Sequence, residues 1–316
     1  VLKQIPGVEV IGTANNGKIA LSKIASLKPD IITLDIEMPE VNGIEVLEQL
    51  AKIPDAPVAV MLSTLTQQGS EMTIKALELG AFDFVPKPSE GKMAENMQKV
   101  KDAILPIIEG YKRRKSTQLK IREKIRQKPA IEKAVPLKTS TSPAIRTGVR
   151  SKAEIIGIGI STGGPNALTK MIPMLPENLK APVLIVQHMP PLFTASLATS
   201  LNNKSGLTVK EAENGDIIEP GRVLIAPGGK QMKIVAAADG IARKVKITDD
   251  PPENSCKPSV DYLFRSIAQH YVGRATGVIM TGMGSDGSKG LVQMKNNGSM
   301  IIAQNEETCT VYGMPK

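Results

Sequence analysis

Residues 155–165 read Ile-Ile-Gly-Ile-Gly-Ile-Ser-Thr-Gly-Gly-Pro. Isoleucine alternating with glycine suits a buried strand pressed closely by its neighbours. A polar, glycine-rich corner follows, and Pro165 is placed to open a helix through Asn166–Ile172. Ser161 therefore falls where a strand turns sharply into a helix. Gly159-Ile160-Ser161-Thr162-Gly163 fits the G-x-S-x-G elbow that exposes a serine hydroxyl at a sheet edge. Taken alone, the corner reads equally as a phosphate-binding turn or a tight connection.

Outward from this stretch, 316 residues allow two domains with their own cores. Hydrophobic residues are 41%, which is globular rather than disordered. Aromatics are only 3% and Trp is absent, which argues against stacking on single-stranded nucleic acid. Cys256 and Cys309 are too few for a disulfide framework or a metal quartet, so a reducing, cytoplasmic setting is expected. No apolar run approaches the ~18 residues of a membrane span, and no signal peptide opens the chain. The formal charge of +9 is concentrated in one segment. Residues 111–152 hold 14 Lys/Arg and two Asp/Glu, a net +12 that leaves the remainder at −3. The basicity marks a solvated linker rather than a nucleic-acid-binding face.

Residues 1–109 alternate strand and helix patterns. Strands are expected at 8–12, 31–35, 57–64 and 82–85, and helices at 18–25, 44–53, 70–80 and 94–114. Such alternation implies a parallel sheet. Asp35, Ser63 and Lys87 then fall at the carboxyl ends of three strands, the edge where open α/β sheets bind ligands. A carboxylate, a hydroxyl and an ammonium there suit a phosphoryl group. These residues resemble a two-component receiver domain: Leu34-Asp35-Ile36-Glu37-Met38-Pro39 with Gly43 as phospho-acceptor loop, Ser63 as switch hydroxyl, and Lys87 in Lys-Pro. The resemblance implies a flavodoxin-like fold, phosphorylation at Asp35, and Mg²⁺ held in part by Asp35 and the Glu37 carbonyl. The first strand, with its paired acids, and the first helix of a receiver are not found, so the chain reads as truncated at its start.

Residues 110–152 are expected to form the basic linker, its first part prolonging the preceding helix. From 153 onward the alternation resumes, with apolar strands at 181–186, 277–281 and 300–305 and short strands and turns across 209–240. A serine nucleophile needs a base. Of the two histidines, His270 ends an amphipathic helix and reads as surface or capping, whereas His188 directly follows a buried strand at the edge that holds Ser161. Among Asp216, Asp239, Asp249, Asp250, Asp261 and Asp286, only Asp286 lies in a glycine-rich loop just past a wholly apolar strand. Ser161, His188 and Asp286 thus share one sheet edge, and triads are defined by geometry rather than chain order. A dinucleotide site is disfavoured, because the next strand ends in Gln187-His188 where the fingerprint wants an acid. One histidine and no cysteine pair also cannot close a zinc shell.

Five spaced runs in this half resemble the catalytic domain of the chemotaxis protein-glutamate methylesterases, the CheB family. They are Gly-Ile-Ser161-Thr-Gly-Gly, Gln-His188-Met-Pro-Pro, Lys257-Pro-Ser-Val-Asp, Met280-Thr-Gly-Met-Gly-Ser-Asp286-Gly and Ala303-Gln-Asn-Glu-Glu. The resemblance implies a receiver (1–109) joined by a linker (110–152) to a doubly wound, mostly parallel α/β methylesterase domain (153–316). It implies a Ser161–His188–Asp286 triad with oxyanion positions at Thr162 and Met283, and no cofactor for catalysis. Substrates would be glutamyl methyl esters, and also glutamine amides, on methyl-accepting chemotaxis receptors, with a chemotaxis histidine kinase as phosphodonor. The receiver is expected to pack over the serine-bearing edge. The last residues, Gly313-Met-Pro-Lys316, stop earlier than in the family, so truncation is expected there too. The other reading is a response regulator whose second domain only binds.

Overall fold

The computed structural model describes residues 1–88, 90–126 and 153–316. The linker expected at 110–152 lies outside them beyond Arg126.

The first half opens with a 3₁₀ turn (Leu2–Gln4) and an extended run at 8–14. The strand expected at 8–12 is not formed. That segment borders a cavity of about 800 Å³ shared with the edge of β1 (Ile31–Asp35), and no strand among the described residues pairs with it. α1 (Gly17–Leu27) is capped by the Asn16 side chain, which accepts from Ile19 N–H at 2.9 Å. β1 leads into α2 (Gly43–Leu50), where Asn42 and Glu45 form a full capping box. β2 (Val58–Ser63), α3 (Gln67–Glu78) and β3 (Asp83–Pro86) follow, then the long α4 (Met93–Arg126), which continues past Arg114 into the first part of the linker as expected. The three strands form a parallel sheet in the order β1-β2-β3.

The second half begins with β4 (Ile155–Ile160), α5 (Gly164–Met171), β5 (Val183–Gln187) and α6 (Phe193–Asn202). β6 (Thr208–Glu211) and β7 (Arg222–Ile225) precede an antiparallel hairpin of β8 (Gln231–Ala236) and β9 (Arg243–Thr248). α7 (Val260–His270), β10 (Ala275–Ile279), α8 (Ser288–Asn296) and β11 (Met300–Ala303) complete it. Six parallel strands lie in the order β11-β10-β4-β5-β7-β6. The chain therefore winds outward from β4 on one side and returns to pair β10 on the other. The reversal places a crevice at the carboxyl ends of β4 and β10, the switch point where such sheets bind ligands.

The glycines of β4 are explained by α7. A Cβ on Gly157 would meet Ile267 Cδ1 at 2.5 Å, and one on Gly159 would meet Val260 Cγ1 at 2.3 Å. Helix α7 thus sits directly on the strand, with Val260, Phe264 and Ile267 fully buried. Gly159→Ala is expected to destabilise the domain by ~1–3 kcal/mol through overpacking, read as a lower urea midpoint. An unchanged midpoint would mean that α7 is not tightly seated.

The two halves pack together. Phe84 of β3 stacks on Phe193 of α6 with ring centroids 4.5 Å apart. Ser70 and Ser196 share a buried hydrogen bond of 2.7 Å, Lys204 pairs with Glu78 at 2.6 Å, and Asn166 donates to the Ala81 carbonyl at 2.9 Å. A single apolar core runs from Leu77 and Phe84 through to Leu168, Phe193 and Leu197. Val311 and Met283 join the apolar cluster around Phe82, Val85 and Ile107.

Candidate active site

Ser161, His188 and Asp286 each follow a strand of the large sheet: β4, β5 and β10. Parallel pairing in register (Gly159 with Val186 and with Ile279) brings the three strand ends level. The Ser161 corner is pinned from below. Its N–H donates to the Thr281 carbonyl at 2.9 Å, its carbonyl accepts from Gly164 N–H at 2.7 Å and Gln187 Nε2 at 3.0 Å, and Thr281 Oγ1 donates to the Thr162 carbonyl at 2.9 Å. Gly163 adopts φ +74°, and a Cβ there would strike Thr310 at 2.3 Å, so only glycine fits this turn.

Asp286 is 4% exposed and carries five hydrogen bonds. His188 Nε2 lies 2.8 Å from Oδ2, and Val260 N–H donates to the same oxygen at 2.7 Å. Ser259 Oγ, Asn254 Nδ2 and Asp261 N–H donate to Oδ1 at 2.9, 2.9 and 3.1 Å. Two of these donors are first-turn N–H groups of α7, which have no partners within the helix. Their dipole also favours a carboxylate there. Burial alone would raise the Asp286 carboxyl, but the bonds from His188, Val260 and Asn254 outweigh it and hold it at about 2. His188 responds in the opposite sense. Burial opposes its charge, yet Asp286 and Cys256 lift it to about 9.

Because Asp286 is an ionised acceptor, Nε2 carries the proton in the neutral ring and Nδ1 presents the lone pair. Nδ1 faces the Cys256 sulfur at 3.7 Å. No hydrogen bond joins His188 to Ser161 Oγ among the described residues, although both line one cavity of about 150 Å³. The structure therefore joins His188 to Asp286 and places Ser161 on the same cavity without a bond to His188. The expected oxyanion positions flank it: the Thr162 turn, and Met283, which follows Gly282, whose Cβ would lie 2.7 Å from Ser161 Cβ.

The first half closes this cavity. Asp83, Phe84, Pro86 and Ile107 line one side, and Ser161, Thr162, His188 and Pro190 the other. Asp83 bonds the Thr162 side chain, and burial lifts its carboxyl to about 7 against the Phe84 N–H and that Thr162 bond.

At the far edge of the first half, Lys87 Nζ reaches Asp35 Oδ2 at 2.5 Å, as the strand-end reading expects, and Glu37 N–H donates to Oδ1 at 3.3 Å. Ser63 is turned elsewhere. It is 1% exposed, donates to the Gly69 carbonyl at 3.1 Å and accepts from Thr73 Oγ1 at 2.6 Å. His270 ends α7 and lies outside the cavity, as expected.

Sequence reasoning missed Ser259, Asn254, Thr281 and Asp83. Ser259 alone carried a local signal, a serine before an amphipathic helical run.

Comparison with known proteins agrees with this arrangement. The CheB methylesterase family profile matches residues 156–316, and the response regulator receiver domain profile matches residues 1–99. A protein-glutamate methylesterase/protein-glutamine glutaminase of Desulfotalea psychrophila is 59% identical over all of this chain and 86% of its own length. That of Bacillus subtilis is 45% identical over 98% of this chain and 84% of its own length. The crystal structure of the Thermotoga maritima CheB methylesterase catalytic domain superposes with a TM-score of 0.50 at 44% identity, covering 52% of this chain and 86% of that one. No helix among the described residues is long and apolar enough to cross a membrane. Sheet order, strand-end residues and these matches converge: the chain belongs to the CheB methylesterase family, with a response-regulator receiver domain ahead of its catalytic domain.

Proposed function

We propose that this chain hydrolyses γ-glutamyl methyl esters on methyl-accepting chemotaxis receptors in the cytoplasm, releasing glutamate and methanol through Ser161, His188 and Asp286. The carrying observation is the buried His188–Asp286 pair beside Ser161 at the switch point of the large sheet. In its neutral form, which gains population as pH rises toward about 9, His188 takes the Ser161 proton on Nδ1 as Oγ attacks the ester carbonyl. The oxyanion forms against N–H donors at Thr162 and Met283, each worth on the order of 10²–10³ in rate. Collapse breaks the C–O bond, and His188 gives its proton to the departing methoxide. Water then attacks the acyl-serine, with His188 taking its proton and returning it to Ser161. With a glutamine side chain the same steps release ammonia, so deamidation belongs to the same site. The side chains suffice for this chemistry without a cofactor.

The division of labour is a receiver at 1–109, a linker at 110–152 and the hydrolase at 153–316. Asp35 is the proposed phospho-acceptor, supplied by a chemotaxis histidine kinase, with Lys87 already on its carboxylate and Ser63 reaching it only after rotating from Thr73. For Mg²⁺, the described residues offer one carboxylate, Asp35, and the Glu37 carbonyl. That falls short of the six-oxygen shell the ion demands.

Receiver docking closes the site, and Asp83 is its proton-sensitive contact. Burial lifts Asp83 from 3.8 to about 7, and whatever share of that burial docking supplies makes the docked form bind the extra proton. Docking is therefore strongest at low pH and weakens as pH rises from about 4 to 7, by up to tenfold per unit. His188 is the other titratable group lining the cavity. Methanol release by the whole chain, divided by that of residues 153–316 alone, is expected to climb over this range, and Asp83→Asn should flatten the climb. An identical climb in Asp83→Asn would clear Asp83 of the role. Equal activity of whole chain and isolated domain at every pH would remove the closure itself.

A further inference from the structure

Cys256 has no part in the proposed hydrolysis, yet its sulfur faces the one nitrogen on which that hydrolysis depends. We infer that His188 Nδ1 and Cys256 Sγ form a chelating site for a thiophilic divalent cation of the zinc type, and that an occupied site silences the hydrolase. The silencing, unlike the binding, rests on His188 being the base.

Distance comes first. Zinc binds imidazole nitrogen at about 2.0–2.1 Å and thiolate at about 2.3 Å. At a tetrahedral angle those two donors stand roughly 3.6 Å apart, and here they are 3.7 Å apart. The pair, joined here by a weak sulfur hydrogen bond, already stands at the separation a shared cation requires. Asp286 lies on the other ring nitrogen, and the donor atoms of all three residues fall within 4.8 Å of one another. A carboxylate that fixes the remote nitrogen of a ligating histidine is the usual arrangement behind a metal-bound imidazole.

The sulfur is also held in place. Asn254 and Ser255 both adopt left-handed backbone, φ 52° and 62°, without being glycine. Paired bonds between Glu253 and Cys256 (2.9 and 3.1 Å) close the turn, and Asn254 Nδ2 ties it to Asp286. The carboxylate that orients His188 thus also positions the loop bearing Cys256. Cys256 is half-buried, so a cation can reach it, whereas Cys309 is buried elsewhere. On binding, the thiol and the charged imidazole's Nδ1 each release a proton to solvent, the cation accepts one lone pair from sulfur and one from Nδ1, and no electron is transferred. The lone pair needed to take the Ser161 proton is then occupied.

The test uses the full chain and Co²⁺ as a spectroscopic probe, with Zn²⁺ as competitor. Wild type should show a thiolate-to-cobalt charge-transfer band that saturates at one equivalent and is displaced by Zn²⁺. The band should vanish in Cys256→Ser although Cys309 is retained, and His188→Gln should weaken binding at least ~10-fold. Zn²⁺ should also shield Cys256 of the wild type from iodoacetamide, read by peptide mass spectrometry, which needs no variant to fold. In the activity arm, each protein is scaled to its own metal-free methanol release, and Cys256→Ser should raise the half-inhibitory Zn²⁺ concentration at least ~10-fold. No thiolate band and no shielding, or a band unchanged in Cys256→Ser, would overturn the site. Cysteine-dependent binding without inhibition would uphold the site and instead remove His188 as the base.

Discussion

Ser161→Ala is expected to reduce methanol release from methylated receptor membranes by on the order of 10⁶. Loss of the nucleophile in a triad costs about as much as loss of the whole set, because its members act as a unit. The fold should be indifferent. Ser161 is held through its main chain, to Thr281, Gly164 and Gln187, and its hydroxyl bonds neither neighbour of the pair. The substitution should therefore leave the unfolding midpoint and receptor binding intact while kcat collapses. A variant keeping even a hundredth of wild-type turnover would remove Ser161 as nucleophile. The missing Ser161–His188 bond is consistent with a closed resting form. Catalytic hydrogen bonds tighten in the substrate complex, and Nδ1 must turn from Cys256 toward Ser161 for the proton to pass.

Asp286→Asn is expected to lower kcat by ~10³–10⁴, since an amide no longer holds the imidazole in the tautomer that bares Nδ1. This position differs from Ser161 in also carrying the amino end of α7. Five donors converge on the carboxylate. An amide group turns two N–H bonds toward them, so at least one buried donor loses its acceptor, at about 1–3 kcal/mol. Activity and urea midpoint should fall together, and the activity loss should persist well below the unfolding transition. Near-normal kcat in a folded variant would assign Asp286 to structure alone.

Much of this site was legible because it is made at strand ends. The Ile/Gly alternation of 155–160 marks a central strand, and the reason for each glycine, the close seat of α7, appears only with the helix in place. Asp286 stood out among six candidates because a glycine-rich loop after an apolar strand places its residues at the same edge as Ser161. The partners around it were not legible. Asn254 and Cys256 arrive from a loop some thirty residues upstream, and nothing in their local pattern says which strand end they will face. Asp83 is further still, a receiver residue whose role depends on docking two domains. The strand expected at 8–12 failed for a related reason: alternation signals a pleated segment, but a ladder needs a neighbour, and that segment has a cavity beside it. Helix α4 runs on to Arg126, in line with the expected prolongation into the first part of the linker.

The apolar seam through Phe84 and Phe193 gives the closed state a thermal character of its own. Parting the two halves exposes hydrocarbon to water, which raises heat capacity as unfolding does. The free energy of closure is then a curved function of temperature, greatest at an intermediate point and declining on either side. Under the closure proposed above, cooling and warming away from that point would both favour parting of the halves, and the ratio of whole-chain to isolated-domain methanol release would rise on either side of it.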